Sequence, residues 1–140
     1  MEFVHPAKAY SFDQLHIGLE SHVTDGTVIK KECPEHGKLA LYSYKSIVNV
    51  KWGPFMVLAR GIILDLEAKT IAALPFPKFF NFNEHPPRKF PDIHSVAEKA
   101  DGSLGIIYWD KYLDKWRVNT RASFSSRSAQ AALAEELLGR

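Results

Sequence analysis

The stretch Glu98-Lys99-Ala100-Asp101-Gly102-Ser103-Leu104 sets the reading of this chain. Asp-Gly between apolar runs is a strong hairpin signal. It predicts two strands, Ile93 to Lys99 and Leu104 to Trp109, around an Asp101-Gly102 turn. Lys99 then ends the first strand. One reading makes it a solvated hairpin cation. The other makes it a covalent nucleophile, its amine deprotonated by desolvation and neighbouring cations, with a glycine beside it that lets a phosphate approach the backbone. Lys-x-Asp-Gly arises by chance in roughly one chain of this size in thirty, so the motif alone does not decide.

Working outward, Lys115 to Arg121 alternates, with Trp116, Val118 and Thr120 on one face and Lys115, Arg117, Asn119 and Arg121 on the other. The basic face reads as a solvated sheet face unless it lines the same groove as Lys99. Ser125 or Ser126 is expected to cap a last helix carrying Ala129, Ala132, Leu133, Glu136 and Leu137 at helical spacing. Upstream, Phe55 to Leu66 is a long apolar run interrupted by Arg60-Gly61, and Thr70 to Leu74 is its hairpin partner across Glu67-Ala68-Lys69. A charge in such a run needs a partner: an ion pair with Asp65 or Glu67, or a phosphate. Pro75 to Glu84 mixes Lys78 with Phe76, Phe79, Phe80 and Phe82. It reads as a loop in which an exposed ring stacks on a base while the lysine meets a phosphate.

The N-terminal third predicts a capping box, Ser11-Phe12-Asp13-Gln14, opening a short helix with Phe12, Leu15 and Leu19 on one side. A turn at Asp25-Gly26 leads into the β-branched run Thr27-Val28-Ile29. Lys38 to Tyr44 reads as a half-buried strand. Cys33 and His36 have metal-ligand spacing in a loop, but a structural site takes four ligands and no second pair is visible, so no metal residues are assigned. No Ser-His-Asp set and no glycine-rich phosphate loop is present. Neighbouring strands pairing in sequence order give an α+β fold, mainly antiparallel sheet with flanking helices.

Composition fits one domain: 140 residues, 46% hydrophobic, net charge +2. That charge is too small to imply nucleic acid, so any basic patch must come from placement. One cysteine excludes an internal disulfide. With no leader pattern and no apolar run of about 20 residues, a soluble cytoplasmic protein is expected. The last residues, Leu137-Leu138-Gly139-Arg140, sit on an apolar helix pattern, open both to a natural end and to a truncation.

Four stretches in order carry a resemblance: Ala59-Arg60-Gly61-Ile62, Pro75 to Glu84, Glu98 to Ser103, and Thr120-Arg121-Ala122-Ser123-Phe124. Together they resemble the T-even phage RNA ligase family of covalent lysine nucleotidyltransferases, from about Tyr42 to the last helix. The resemblance implies an ATP-grasp-like adenylylation domain, with residues 1–140 as its N-terminal part. Lys99 would attack ATP and carry AMP as a lysyl phosphoramidate, which passes to an RNA 5′-phosphate before a 3′-hydroxyl seals the strand. It further implies phosphate contacts from Arg60, Lys78 and Arg121, a required aromatic at Phe80, nucleotide contacts at Asp101 and Gly102, and Tyr44 near the nucleotide. Mg²⁺ or Mn²⁺ is the implied metal and RNA ends the implied partner. Ala122 departs from the usual glycine. The family's later motifs, two glutamates and a lysine pair, would lie beyond Arg140 or on a separate polypeptide, so weak activity is expected of these residues alone. A nucleotide- or RNA-end-binding remnant, and a DNA ligase or capping-type enzyme, are the alternatives.

Overall fold

A computed structural model describes residues 4–46, 51–81, 84 and 95–140. After a 3₁₀ turn at Pro6–Ala9, the first helix, α1, runs Phe12–Asp25, longer than expected. Its capping box forms: Ser11 Oγ accepts the Gln14 N–H at 3.2 Å and Gln14 Oε1 accepts the Ser11 N–H at 2.8 Å. Gly26, at φ 85°, ends the helix in the left-handed region.

Four strands follow as an antiparallel meander in sequence order: β1 Val28–Glu32, β2 Leu39–Tyr44, β3 Arg60–Asp65 and β4 Thr70–Ala73. β2 is not half-buried as expected; its first five residues are all buried. As a central strand it is covered on both faces. Leu19 of α1 packs over Ala40, Tyr42, Ile62 and Leu64. Leu39, Leu41, Ile63 and Ala73 on the other face meet Ile106, Tyr108 and Phe124 of the C-terminal half. Each fully buried side chain of this kind contributes about 1.5–3 kcal/mol of apolar transfer, so both coverings are needed to hold the sheet.

The run from Phe55 to Leu66 is not one strand. Met56–Leu58 is a 3₁₀ turn, and Arg60 is the first residue of β3 rather than an interruption within it. Ser43 pairs with Arg60 while Tyr42 pairs with Ile62, so Gly61 is the extra residue of a bulge. The β3–β4 hairpin turns across Glu67 to Lys69 as expected, with Asp65 Oδ1 accepting the N–H groups of Glu67 and Ala68.

The hairpin predicted around Asp101-Gly102 does not form. Ile93 lies outside the described residues. Ser95 to Lys99 is not strand, and Val96, its one large apolar side chain, is 87% exposed. A segment with so little to bury cannot offset the cost of ordering it. Instead β5, Ile106–Asp110, pairs with β6, Lys115–Asn119, around the Asp110 to Asp114 turn. The last helix, α2, is Ala129–Leu138. Its cap is Ser128, not Ser125 or Ser126, which open a 3₁₀ turn at Ser125–Arg127. Nor is the expected stripe its packed face: Ala131 is buried, while Leu133 and Leu137 are exposed.

The faces of β6 also differ from expectation. Arg117 and Asn119 are buried, and Trp116 stands in solvent. Arg117 Nη2 donates to Glu35 Oε1 at 2.9 Å and Ser125 Oγ at 2.7 Å. Asp110 and Glu135 each lie 3.6 Å from the same guanidinium. Hydropathy alternation cannot foresee a cation that carries its counterions inward. Burial alone would push the Glu35 carboxyl up; hydrogen bonds from Arg117 and the Cys33 thiol outweigh this and hold it at about 2.

The chain is thus α+β, with antiparallel sheets and, among the described residues, two α-helices, as expected. Among the described residues no helix is long and apolar enough to cross a membrane.

Candidate functional site

The bulge at Gly61 fixes one wall of a cleft. Gly61 has φ 96°, and a Cβ there would lie 3.2 Å from both Cα and O of Arg121 and 2.5 Å from Ile106 Cδ1. Only glycine lets the chain after β6 close on the start of β3. This contact sets Arg60 and Arg121 on one cleft of about 370 Å³, whose other lining residues include Gly102, Ser103, Leu104 and Thr120.

Both guanidinium groups are held by rings rather than carboxylates. Arg60 Cζ sits 4.6 Å from the centre of the Phe79 ring. Arg121 Cζ sits 4.6 Å from that of Tyr44, and its Nη1 donates to the Tyr44 carbonyl at 3.3 Å. Stacking orients a guanidinium without neutralising it. Neither of the ion pairs anticipated for Arg60 forms: Asp65 pairs with Lys111, and Glu67 with Lys38. Among the described residues neither guanidinium has a carboxylate partner, so two positive charges share the cleft.

Tyr44 joins this cleft to a second cation. Lys78 Nζ lies 4.9 Å from the Phe80 ring centre, 5.1 Å from Trp52 and 5.9 Å from Tyr44. Trp52 meets Tyr44 and Phe80 edge-on, at 5.0 and 5.6 Å between centroids. The Lys78 N–H donates to the Val57 carbonyl at 2.8 Å, and Nζ pairs with Glu84 at 3.4 Å. Glu84 is itself positioned by the Asn81 N–H at 2.8 Å. The side chain of Lys78 is only 13% exposed, so its charge is better shielded from water than a surface lysine's.

Arg60, Tyr44, Lys78, Phe80, Gly102 and Arg121, all singled out in the sequence, therefore form one connected group. Lys99 and Asp101 stand apart. Their side chains pair at 3.5 Å but are 75% and 101% exposed, and neither lines the cleft. An exposed pair of this kind contributes little. The turn is tethered one residue further on, where Ser103 Oγ donates to Gln130 Oε1 of α2 at 3.1 Å. The wider basic face proposed for β6 divides: Arg121 faces the cleft, while Arg117 is buried in its own ion network.

One contributor, Trp52, escaped the sequence, and two others were singled out there without their partners. Trp52 reads there only as part of a Trp-Gly-Pro break, and no periodicity marks it as a wall. Phe79 and Glu84 lie in the aromatic loop, but nothing local says which ring meets Arg60 or which acid meets Lys78.

Residues 58–140 match the sequence profile of the RNA ligase family. A protein of Autographa californica nuclear polyhedrosis virus, named as a bifunctional polynucleotide kinase/RNA ligase, is 32% identical over 104 residues. The match covers 66% of this chain and 15% of that protein, so the chain corresponds to a small part of its relative's length. No solved structure matches.

Proposed function

This chain belongs to the RNA ligase family, and from that premise we propose that it forms the ATP-binding, nucleophile-bearing part of an ATP-dependent RNA ligase, within a nucleotidyltransferase domain. The observation that carries the reading is the pair of guanidinium groups, Arg60 and Arg121, sharing one cleft with Gly102 and lacking carboxylate partners among the described residues.

In this mechanism the Lys99 amine attacks the α-phosphorus of ATP. An N–P bond forms, the bond to pyrophosphate breaks, and the amine proton passes to solvent. An oxygen of an RNA 5′-phosphate then displaces Lys99, and a 3′-hydroxyl displaces AMP to close the strand. Arg60, Arg121 and Lys78 hold the charge of the phosphates, as phosphoryl transfer requires. Tyr44 and Phe80 set two of these cations in place. The Lys99 side chain points into solvent, so the 95–101 segment has to swing onto the cleft that Gly102 already lines. A divalent ion supplies further charge neutralisation in such reactions. Among the described residues no carboxylate lines the cleft, so no step here is routed through a metal.

The exposure of Lys99 favours one other reading, a module that binds nucleotide or RNA ends without chemistry. The deciding test incubates the chain with α-labelled ATP and Mg²⁺ or Mn²⁺, followed by a denaturing gel. Weak protein-bound label that vanishes in Lys99→Ala is expected. Label that persists in Lys99→Ala overturns the nucleophile assignment. No label alongside measurable ATP binding supports the non-catalytic module. Label from GTP in preference to ATP supports a capping-type enzyme.

A further inference from the structure

The β1–β2 turn, Cys33 to Gly37, is built as a knuckle around a sulfur atom. The Gly37 N–H closes on the Cys33 carbonyl at 2.8 Å, with Gly37 at φ 69°. The β5–β6 turn is closed around a carboxylate. Asp110 Oδ1 accepts N–H groups from Tyr112 at 3.0 Å and Leu113 at 3.2 Å, and Asp114 has φ 53°.

The two knuckles face each other. His36 Nε2 lies 3.4 Å from Cys33 Sγ and 2.9 Å from Asp110 Oδ2, and the three ligand atoms all lie within 4.8 Å of one another. Glu35 Oε2 is 3.1 Å from Cys33 Sγ. Zinc bond lengths of about 2.0–2.1 Å to N or O and about 2.3 Å to S give tetrahedral edges of about 3.4 and 3.6 Å. The His36–Cys33 and His36–Asp110 separations need only a few tenths of an ångström of expansion. Folding thus answers the objection that Cys33-x-x-His36 lacks a second pair, since Asp110 arrives from 74 residues beyond His36.

We propose that Cys33, His36 and Asp110 bind one zinc ion that clamps the β1–β2 turn to the β5–β6 turn, with the fourth position open to water. A sulfur, a nitrogen and an oxygen suit zinc, whereas magnesium and calcium take oxygen shells. Charge closes as well: the Cys33 thiolate and the Asp110 carboxylate balance Zn²⁺, while Arg117 pairs with Glu35. Arg117 Nη2 lies 2.9 Å from Glu35, and its Nη1 3.6 Å from Asp110 and 3.8 Å from Cys33. Asp110 Oδ1 is occupied by its two N–H donors, which aims Oδ2 at the site. In the metal-free chain the Lys38 N–H meets His36 Nδ1 at 3.1 Å, leaving the imidazole proton on Nε2 and shared with Asp110. Loading shifts that proton to Nδ1, releases the thiol proton and exchanges the Lys38, Asp110 and Glu35 hydrogen bonds of the turn for metal bonds.

The test measures metal directly and does not read ligation. The full chain, purified from zinc-supplemented medium, is assayed by elemental analysis, and the metal-free chain is titrated with zinc against a chromophoric chelator. One zinc per chain is expected, with affinity at least about tenfold weaker in Asp110→Asn and lost in Cys33→Ser. Cobalt loading of the native chain is expected to give a thiolate charge-transfer band. Cys33, the single cysteine, should react with a thiol reagent more slowly with zinc bound than after chelation. These two measurements stand even where a variant fails to fold. No retained zinc together with no cobalt band, or unchanged affinity in Cys33→Ser, overturns the proposal.

Discussion

Replacing Arg117 by methionine removes a charge while keeping much of the packing volume. Arg117 is 1% exposed, and its closest acid with no solvent access is Asp110, at 0%. Glu35 and Glu135 retain 32% and 18% exposure, so water screens part of their loss. Deleting one partner of a buried ion pair costs about 3–5 kcal/mol because the remaining charge stays desolvated. Asp110 keeps two backbone donors, which places the expected loss at the lower end, about 3 kcal/mol. For 140 residues, an unfolding entropy of about 2.1 cal/mol/K per residue sums to about 0.3 kcal/mol/K, so the midpoint should fall by about 10 °C. The assay is thermal unfolding followed by circular dichroism at neutral pH with chelator present, so that no metal substitutes for the lost cation. Arg117→Lys keeps the charge without the forked geometry and should fall between the two. A midpoint in Arg117→Met within about 2 °C of the native chain, or above it, would refute the reasoning.

Gly61→Ala should destabilise by at least about 1–3 kcal/mol in urea unfolding, from positive φ and the clash with Ile106 and Arg121; an unchanged midpoint would remove the account of the cleft wall. Trp52→Leu takes one ring from Lys78 and should cost about 1 kcal/mol of nucleotide binding, roughly a fivefold rise in Kd by fluorescence titration, with Trp52→Phe retaining most of the affinity. Stability should fall on acidification between about pH 4.5 and 2. The Glu35 carboxyl, at about 2 in the folded chain, is depressed, so its contribution is present above the unfolded value and lost as pH drops through the folded one. The opposite case is Tyr112, whose hydroxyl is pushed up to about 12 by burial and by Asp65, so its contribution is lost as pH rises from about 10. A pH-independent urea midpoint across either window would contradict the corresponding assignment.

Much of the molecule was legible where chemistry is local. The Ser11 capping box, the turn at Gly26 and the β3–β4 hairpin each depend on a few adjacent residues, and each formed. That Arg60, Lys78, Phe80 and Arg121 belong together was legible only through the family resemblance, since of the four only Arg60 and Lys78 stand out against their local surroundings. Misreadings arose where a distant element decides. β2 alternates like an edge of the core, yet a ribbon more than 60 residues later covers its second face. Arg117 sits on what alternation marks as a solvated face, yet Glu35, 82 residues earlier, draws it inward. The Asp101-Gly102 hairpin failed for the converse reason: the turn signal was present, but Ser95 to Lys99 brought too few apolar side chains to hold a strand.

The order of the strands has a kinetic meaning. Among the described residues every hydrogen-bonded strand pair joins neighbours in sequence, and such local pairings favour early assembly, so the meander and the β5–β6 ribbon can each form early and separately. The Arg117–Glu35 and His36–Asp110 contacts span 82 and 74 residues. They can form only once the two sheets have met, and we expect that to follow the rate-limiting barrier. Interactions made that late govern how long the native state survives more than how soon it appears. The buried arginine then acts as a latch, and its loss should be felt as faster unfolding with a folding rate almost untouched.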